Sequence, residues 1–141
     1  MTKENLFWDG FWSWEKSVHG DLSHIAEILT VPVSDEPEKL ISDLSDAEAW
    51  YSRCGFILAD ANSWLDRAKY HFNPSRENRT EADRKVLLDK EIADVRKVRD
   101  QIEVLCDGLK QRIIMGESFL SYRKSLVSVP SPVGIAAGPI W

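Results

Sequence analysis

The stretch from Trp64 to Phe72, WLDRAKYHF, interleaves aromatic rings with cations, and Arg76, Arg79, Arg84 and Lys85 follow it closely. Single-stranded nucleic acid is bound by this mixture. Arg and Lys neutralise phosphates, and a Tyr or His ring offers a stacking face worth about 1–3 kcal/mol per base. Arg67, Lys69 and Tyr70 are the candidates at the end of a helix. Arg76, Arg79, Arg84 and Lys85 are those of the loop and the start of the next helix. The same composition also fits a solvated helix end that sends only Trp64 and Phe72 into a core.

No other stretch assembles a reaction centre. His19 and His24 are five apart, which does not stack them on one helix face, and no second ligand pair follows; no metal is expected there. Gly116-Glu117-Ser118-Phe119 lacks the closing glycine and the preceding strand of a nucleophile elbow. There is no phosphate-cradling glycine loop. The expectation is a protein with no catalytic residue, no metal and no cofactor. Cys54 and Cys106 form no C-x-x-C motif and sit among apolar residues of helical periodicity. They read as buried, reduced thiols of a cytosolic protein.

The formal net charge of -5 argues against binding nucleic acid over the whole surface. The charge is unevenly spread. Residues 1–66 carry 13 acidic and 4 basic side chains, whereas residues 67–141 carry 10 acidic and 14 basic. Such asymmetry suggests internal pairing or two faces with different partners. The start of the chain lacks the apolar core of a signal peptide, and no apolar run approaches the roughly 20 residues of a membrane span.

The elements that must position these groups are helices. From Leu40 the apolar and small residues fall at Leu44, Ala47, Tyr51, Cys54, Leu58, Ala61, Leu65, Ala68 and Phe72, in alternating steps of four and three. That is a heptad seam. Trp50, Ile57 and Trp64 make a second row beside it. Asn73-Pro74 then signals a turn, and Thr80 followed by Glu81 and Asp83 restarts a helix. A second seam runs through Leu88, Ile92, Val95, Arg99, Ile102, Cys106, Leu109, Ile113, Gly116 and Leu120, flanked by Val98, Leu105 and Phe119. Arg99 on this seam either snorkels to the hairpin edge or meets an acid of a neighbouring chain. The predicted fold is all-α: a long antiparallel hairpin over about 36–72 and 80–126, with one or two short helices before it (about 4–18 and 21–30). The domain reading is one helical domain over 1–126, with 1–33 aromatic-rich, and an extended Pro/Gly-rich tail over 127–141.

Phe7, Trp8, Phe11, Trp12 and Trp14 crowd the start of the chain. With Trp50, Trp64 and the final Trp141 they are candidate protein-interface residues, since Trp anchors are frequent in hot spots. Packing onto the chain's own hairpin is the other reading of the start. A membrane-surface helix is disfavoured, because Glu4, Asp9 and Glu15 offset Lys3 and Lys16. The second apolar rows exceed what one hairpin buries alone, so self-association into a homo-oligomer is expected.

Val95 to Lys124, with Leu105, Cys106, Gly108 and Leu109 followed by a basic-apolar stretch and Gly116, resembles the C-terminal helix of UvsY-type recombination mediators of T-even bacteriophages. Ala47 to Phe72 is similar to that family's first long helix, and the likeness spans about residues 45–125. It implies a small, helical, ring-forming, non-catalytic protein in the cytoplasm of a bacterial host. Such a protein binds single-stranded DNA, contacts a recombinase and a single-strand binding protein, and assists recombinase loading. The family's DNA-contacting motif falls on Arg67-Ala68-Lys69. The alternative class is a protein-interaction or assembly module, such as a phage structural subunit or an inhibitor of a host protein, with no nucleic-acid binding.

Overall fold

The heptad seams become long helices. The computed structural model describes residues 2–128, in four helices: α1 (Lys3–Thr30), α2 (Pro37–His71), α3 (Glu81–Glu91) and α4 (Ala93–Ser128). No strand occurs among the described residues. Residues 127 and 128 of the expected tail belong to α4, and residues 129–141, with Trp141, lie outside the described residues.

Local sequence explains the helix starts. Thr2 caps α1 by accepting a bond from the Asn5 backbone N–H at 3.2 Å. Pro37 stands at the first turn of α2, where its missing N–H costs nothing. Thr80 and Asp83 form a reciprocal capping box at the start of α3.

α2 and α4 form the antiparallel hairpin that the two seams predict. Cys106 meets Cys54, Arg99 meets Asn62, and Gly116 lies against Leu40 and Leu44, so numbering rises along one helix as it falls along the other. α1 lies in the groove between them, antiparallel to α2: Phe7 meets Phe72 and His24 meets Trp50. Its buried residues Phe11, Val18 and Ile25 recur every seven positions. Of the one or two short helices expected, one continuous helix is found. Packing at heptad spacing runs through Gly20 and overrides the roughly 1 kcal/mol that a mid-helix glycine costs.

Three details depart from the sequence reading. The second hairpin helix is interrupted at Ile92, whose φ of -97° and ψ of 8° depart from helical values and separate α3 from α4. The bonds from Ile92 N–H to the Leu88 carbonyl and from Arg96 N–H to the Ile92 carbonyl continue on either side. Tyr51, on the predicted seam, is 38% exposed, while Ile57 from the second row is buried. The reason is α1, which draws the centre of the core toward the Trp50-Ile57-Trp64 row. Val98 and Leu105 of α4 pack in the same way against the cluster containing Val18 and Ile25. Of the apolar rows that motivated self-association, Ile57 is buried, Trp50, Trp64, Val98 and Leu105 are partly buried and packed against the core clusters, and Phe119 is exposed. Arg99 sits at the hairpin edge, where its Nε donates to Asn62 across the hairpin at 2.9 Å and its Nη1 pairs with Asp100 and Glu103.

At the end opposite the hairpin turn, Arg112 of α4 donates to the Val31 carbonyl that closes α1. α1 has no cation in its own last turn, so this one faces the negative end of its dipole. α4 then runs on beside the α1–α2 connection, where Asp35, Phe119, Tyr122, Arg123 and Leu126 line a shallow groove of about 330 Å³.

Candidate nucleic-acid interface

The last turns of α2 carry the candidate site, and helical phase divides their side chains. Leu65 and Ala68 are buried in a cluster with Phe11, Ile92 and Val95, and Trp64 and Phe72 pack against it. Arg67, Lys69 and Tyr70 point the other way, and Tyr70 is 89% exposed. The Arg67 guanidinium lies 3.7 Å from the centre of the Trp64 ring, a cation–π contact that holds the cation at the surface.

The loop after α2 is fastened rather than loose. Asn78 adopts a left-handed backbone with φ of 57°, a conformation Asn tolerates better than most residues. The Ser75 hydroxyl accepts from the Glu77 N–H, and the Ser75 carbonyl accepts from Arg79 Nη1 at 3.3 Å. Most of the fastening comes from Arg84. Its Nε donates to the Pro74 carbonyl at 3.2 Å, its Nη2 to Asn73 Oδ1 at 3.0 Å and its Nη1 to Glu81 Oε1 at 2.9 Å. Only 9% of the residue is exposed. Arg84, a phosphate-binding candidate from the sequence, thus spends a donor of each guanidinium nitrogen on tying the loop to α3.

Arg76, Arg79 and Lys85 remain exposed around the tip. Among the described residues, Arg67, Lys69, Arg76, Arg79 and Lys85 make no ion pair. Along the stem, by contrast, Arg53 pairs with Asp21, Arg96 with Asp89, and Arg99 with Asp100 and Glu103. Asp66 and Glu77 stand among the tip cations, so the local excess of positive charge is modest.

The aromatic start of the chain forms the floor beneath this tip. Phe7 is 5.2 Å from Phe72 edge-on, 5.4 Å from the stacked His71 ring and 5.7 Å from Trp64. Phe11 is fully buried; Trp8 and Trp14 are half-buried. The Trp14 Nε1–H is buried without an acceptor among the described residues. Trp12 keeps 43% of its surface exposed, and Trp50 is half-buried with the His24 ring 4.5 Å away. The own-hairpin reading of the start thus describes Phe7, Phe11 and Trp14, and Trp12 is the ring left most open. Sequence reasoning missed the place of His71 in this stack. It also missed the fastening role of Arg84, for which the only signal was an acid three residues before it at a capped helix start.

No group of three or more His, Cys, Asp or Glu able to hold a metal occurs among the described residues, and no helix there is long and apolar enough to cross a membrane. Comparison with family models, curated proteins and solved structures returns no match.

Proposed function

We propose that this chain is a non-catalytic accessory protein that binds single-stranded DNA at the hairpin tip and assists a recombinase, in the manner of a recombination mediator. One observation carries the reading: Tyr70 stands 89% exposed on the same helix turns as Arg67 and Lys69, which pair with no carboxylate of the described residues. A free ring gives a base a stacking face, and unpaired Arg and Lys give the backbone its counterions. The resemblance of residues 45–125 to mediator helices supports the same assignment. One tip offers a small patch, so useful affinity requires several tips acting together in a homo-oligomer.

A salt titration of fluorescent oligonucleotide binding tests this. Changing Arg67 and Lys69 together to Ala weakens binding to every sequence alike, because phosphate contacts carry no sequence information. It also makes the slope of log affinity against log salt shallower by about 0.7 for each phosphate no longer neutralised. Tyr70→Ala lowers affinity by about 1–3 kcal/mol with that slope unchanged. Wild-type protein that binds no oligonucleotide at low salt rejects the proposal. The second reading, an assembly module, then stands on the open groove of Phe119, Tyr122 and Leu126 at the far end of α4.

A further inference from the structure

The only two cysteines of the chain come from facing helices, 52 residues apart in sequence, and their sulfurs lie 2.7 Å apart. Cys54 Sγ also points to the Ile102 carbonyl at 3.8 Å. Both are buried in the middle of the stem, at 0% and 5% exposure, with Ile57, Ala61 and Leu109 around them. A disulfide bond is about 2.05 Å long, so closure needs only a small further approach of the two sulfurs.

We propose that Cys54 and Cys106 form an oxidation site, at which a two-electron oxidant of the disulfide or azo class converts the pair into an intramolecular disulfide that clips α2 to α4. The balance is simple. Two S–H bonds break and one S–S bond forms. The two electrons and two protons pass to the oxidant, giving two thiols from a disulfide or a hydrazine from an azo compound such as diamide. The attacking species is a thiolate. Burial pushes both thiols up from their ordinary range, Cys54 most strongly, so the closed bundle holds little thiolate. Oxidation therefore proceeds through transient opening of the stem, and the product prevents that opening. The site is independent of the nucleic-acid reading, since it lies in the stem and not at the tip.

The test uses the full chain, reduced and then exposed to diamide with and without urea below the unfolding midpoint. The expected product is a monomer that has lost two hydrogens, resists alkylation after unfolding and is restored by dithiothreitol. Sub-denaturing urea accelerates its formation. Its unfolding midpoint rises by about 10 °C, the scale for a loop of this length in a chain of this size. Cys54→Ala and Cys106→Ala show no such rise. Two alkylatable thiols after diamide in urea, disulfide-linked dimers in place of the monomer, or an oxidised monomer with an unchanged midpoint each overturn the proposal.

Discussion

Trp64 and Tyr70 lie six residues apart on α2, both aromatic and both in a stretch that also carries Arg67 and Lys69. Trp64 is half-buried beneath Phe7 and Phe11, and Tyr70 is 89% exposed. Six steps of about 100° turn Tyr70 away from the side that Trp64 presents to α1. Residue type does not separate the two; phase against the first helix does. One face of these turns is a floor, built from rings brought by α1. The other is a tip, with an exposed ring and cations that pair with no carboxylate of the described residues. Structure and proposed function therefore share the last turns of one helix, and Arg67, stacked on Trp64, is the side chain that belongs to both.

The strongest test of that division is Phe11→Ala. Phe11 is fully buried and touches Phe7, Trp8, Trp12, Trp14 and Trp64. Its truncation should cost about 3–5 kcal/mol of stability in urea unfolding. A loss under about 1 kcal/mol would mean the floor is not a core and that its rings await a partner. Arg84→Ala should cost less, about 1–3 kcal/mol, because it leaves the Pro74 carbonyl and Asn73 without their donor. Amide exchange should quicken over residues 73–80. Under the nucleic-acid reading its salt slope should match the wild type's. A slope as shallow as that of the Arg67/Lys69 double change would restore Arg84 to the phosphate-binding set.

The hairpin was legible because heptad spacing is a geometric instruction: steps of four and three at Leu40 through Phe72 leave a long helix few other ways to bury its apolar side. The helix start at Thr80 was legible from local sequence too, though not the return bond from the Thr80 N–H to Asp83. What the spacing does not contain is a third helix's position. Tyr51 and Ile57 lie on neighbouring rows, and only the arrival of α1 decides that Ile57 is buried and Tyr51 is not. The interruption at Ile92 has no proline or glycine to announce it, and the seam of Leu88, Ile92 and Val95 passes straight through. At the tip, composition identified the cations but could not separate Arg84 from Lys85, its neighbour. One reaches back to the loop and the other faces solvent, and that difference is tertiary.

The smallest expected effects come from three glycines, and they measure how tight the floor is. An added methyl at Gly20 or Gly55 meets nothing within 4 Å. Both lie inside helices, so Gly20→Ala and Gly55→Ala should each stabilise by about 0.5–1 kcal/mol through helix propensity and a less disordered unfolded chain. Gly10 is also inside a helix and would gain the same amount. Its added carbon, however, would sit 3.2 Å from the Trp64 ring. That ring is flanked by Phe7, Phe11 and Trp14, with the Arg67 guanidinium over one face, so it has little room to retreat. Overpacking of this kind costs about 1–3 kcal/mol, which exceeds the gain. Gly10→Ala should therefore destabilise while the other two stabilise, a difference of sign that parallel urea titrations resolve. If Gly10→Ala stabilises as much as Gly55→Ala, the ring stack yields easily. The floor would then be a loose aromatic surface rather than the rigid support on which the tip stands.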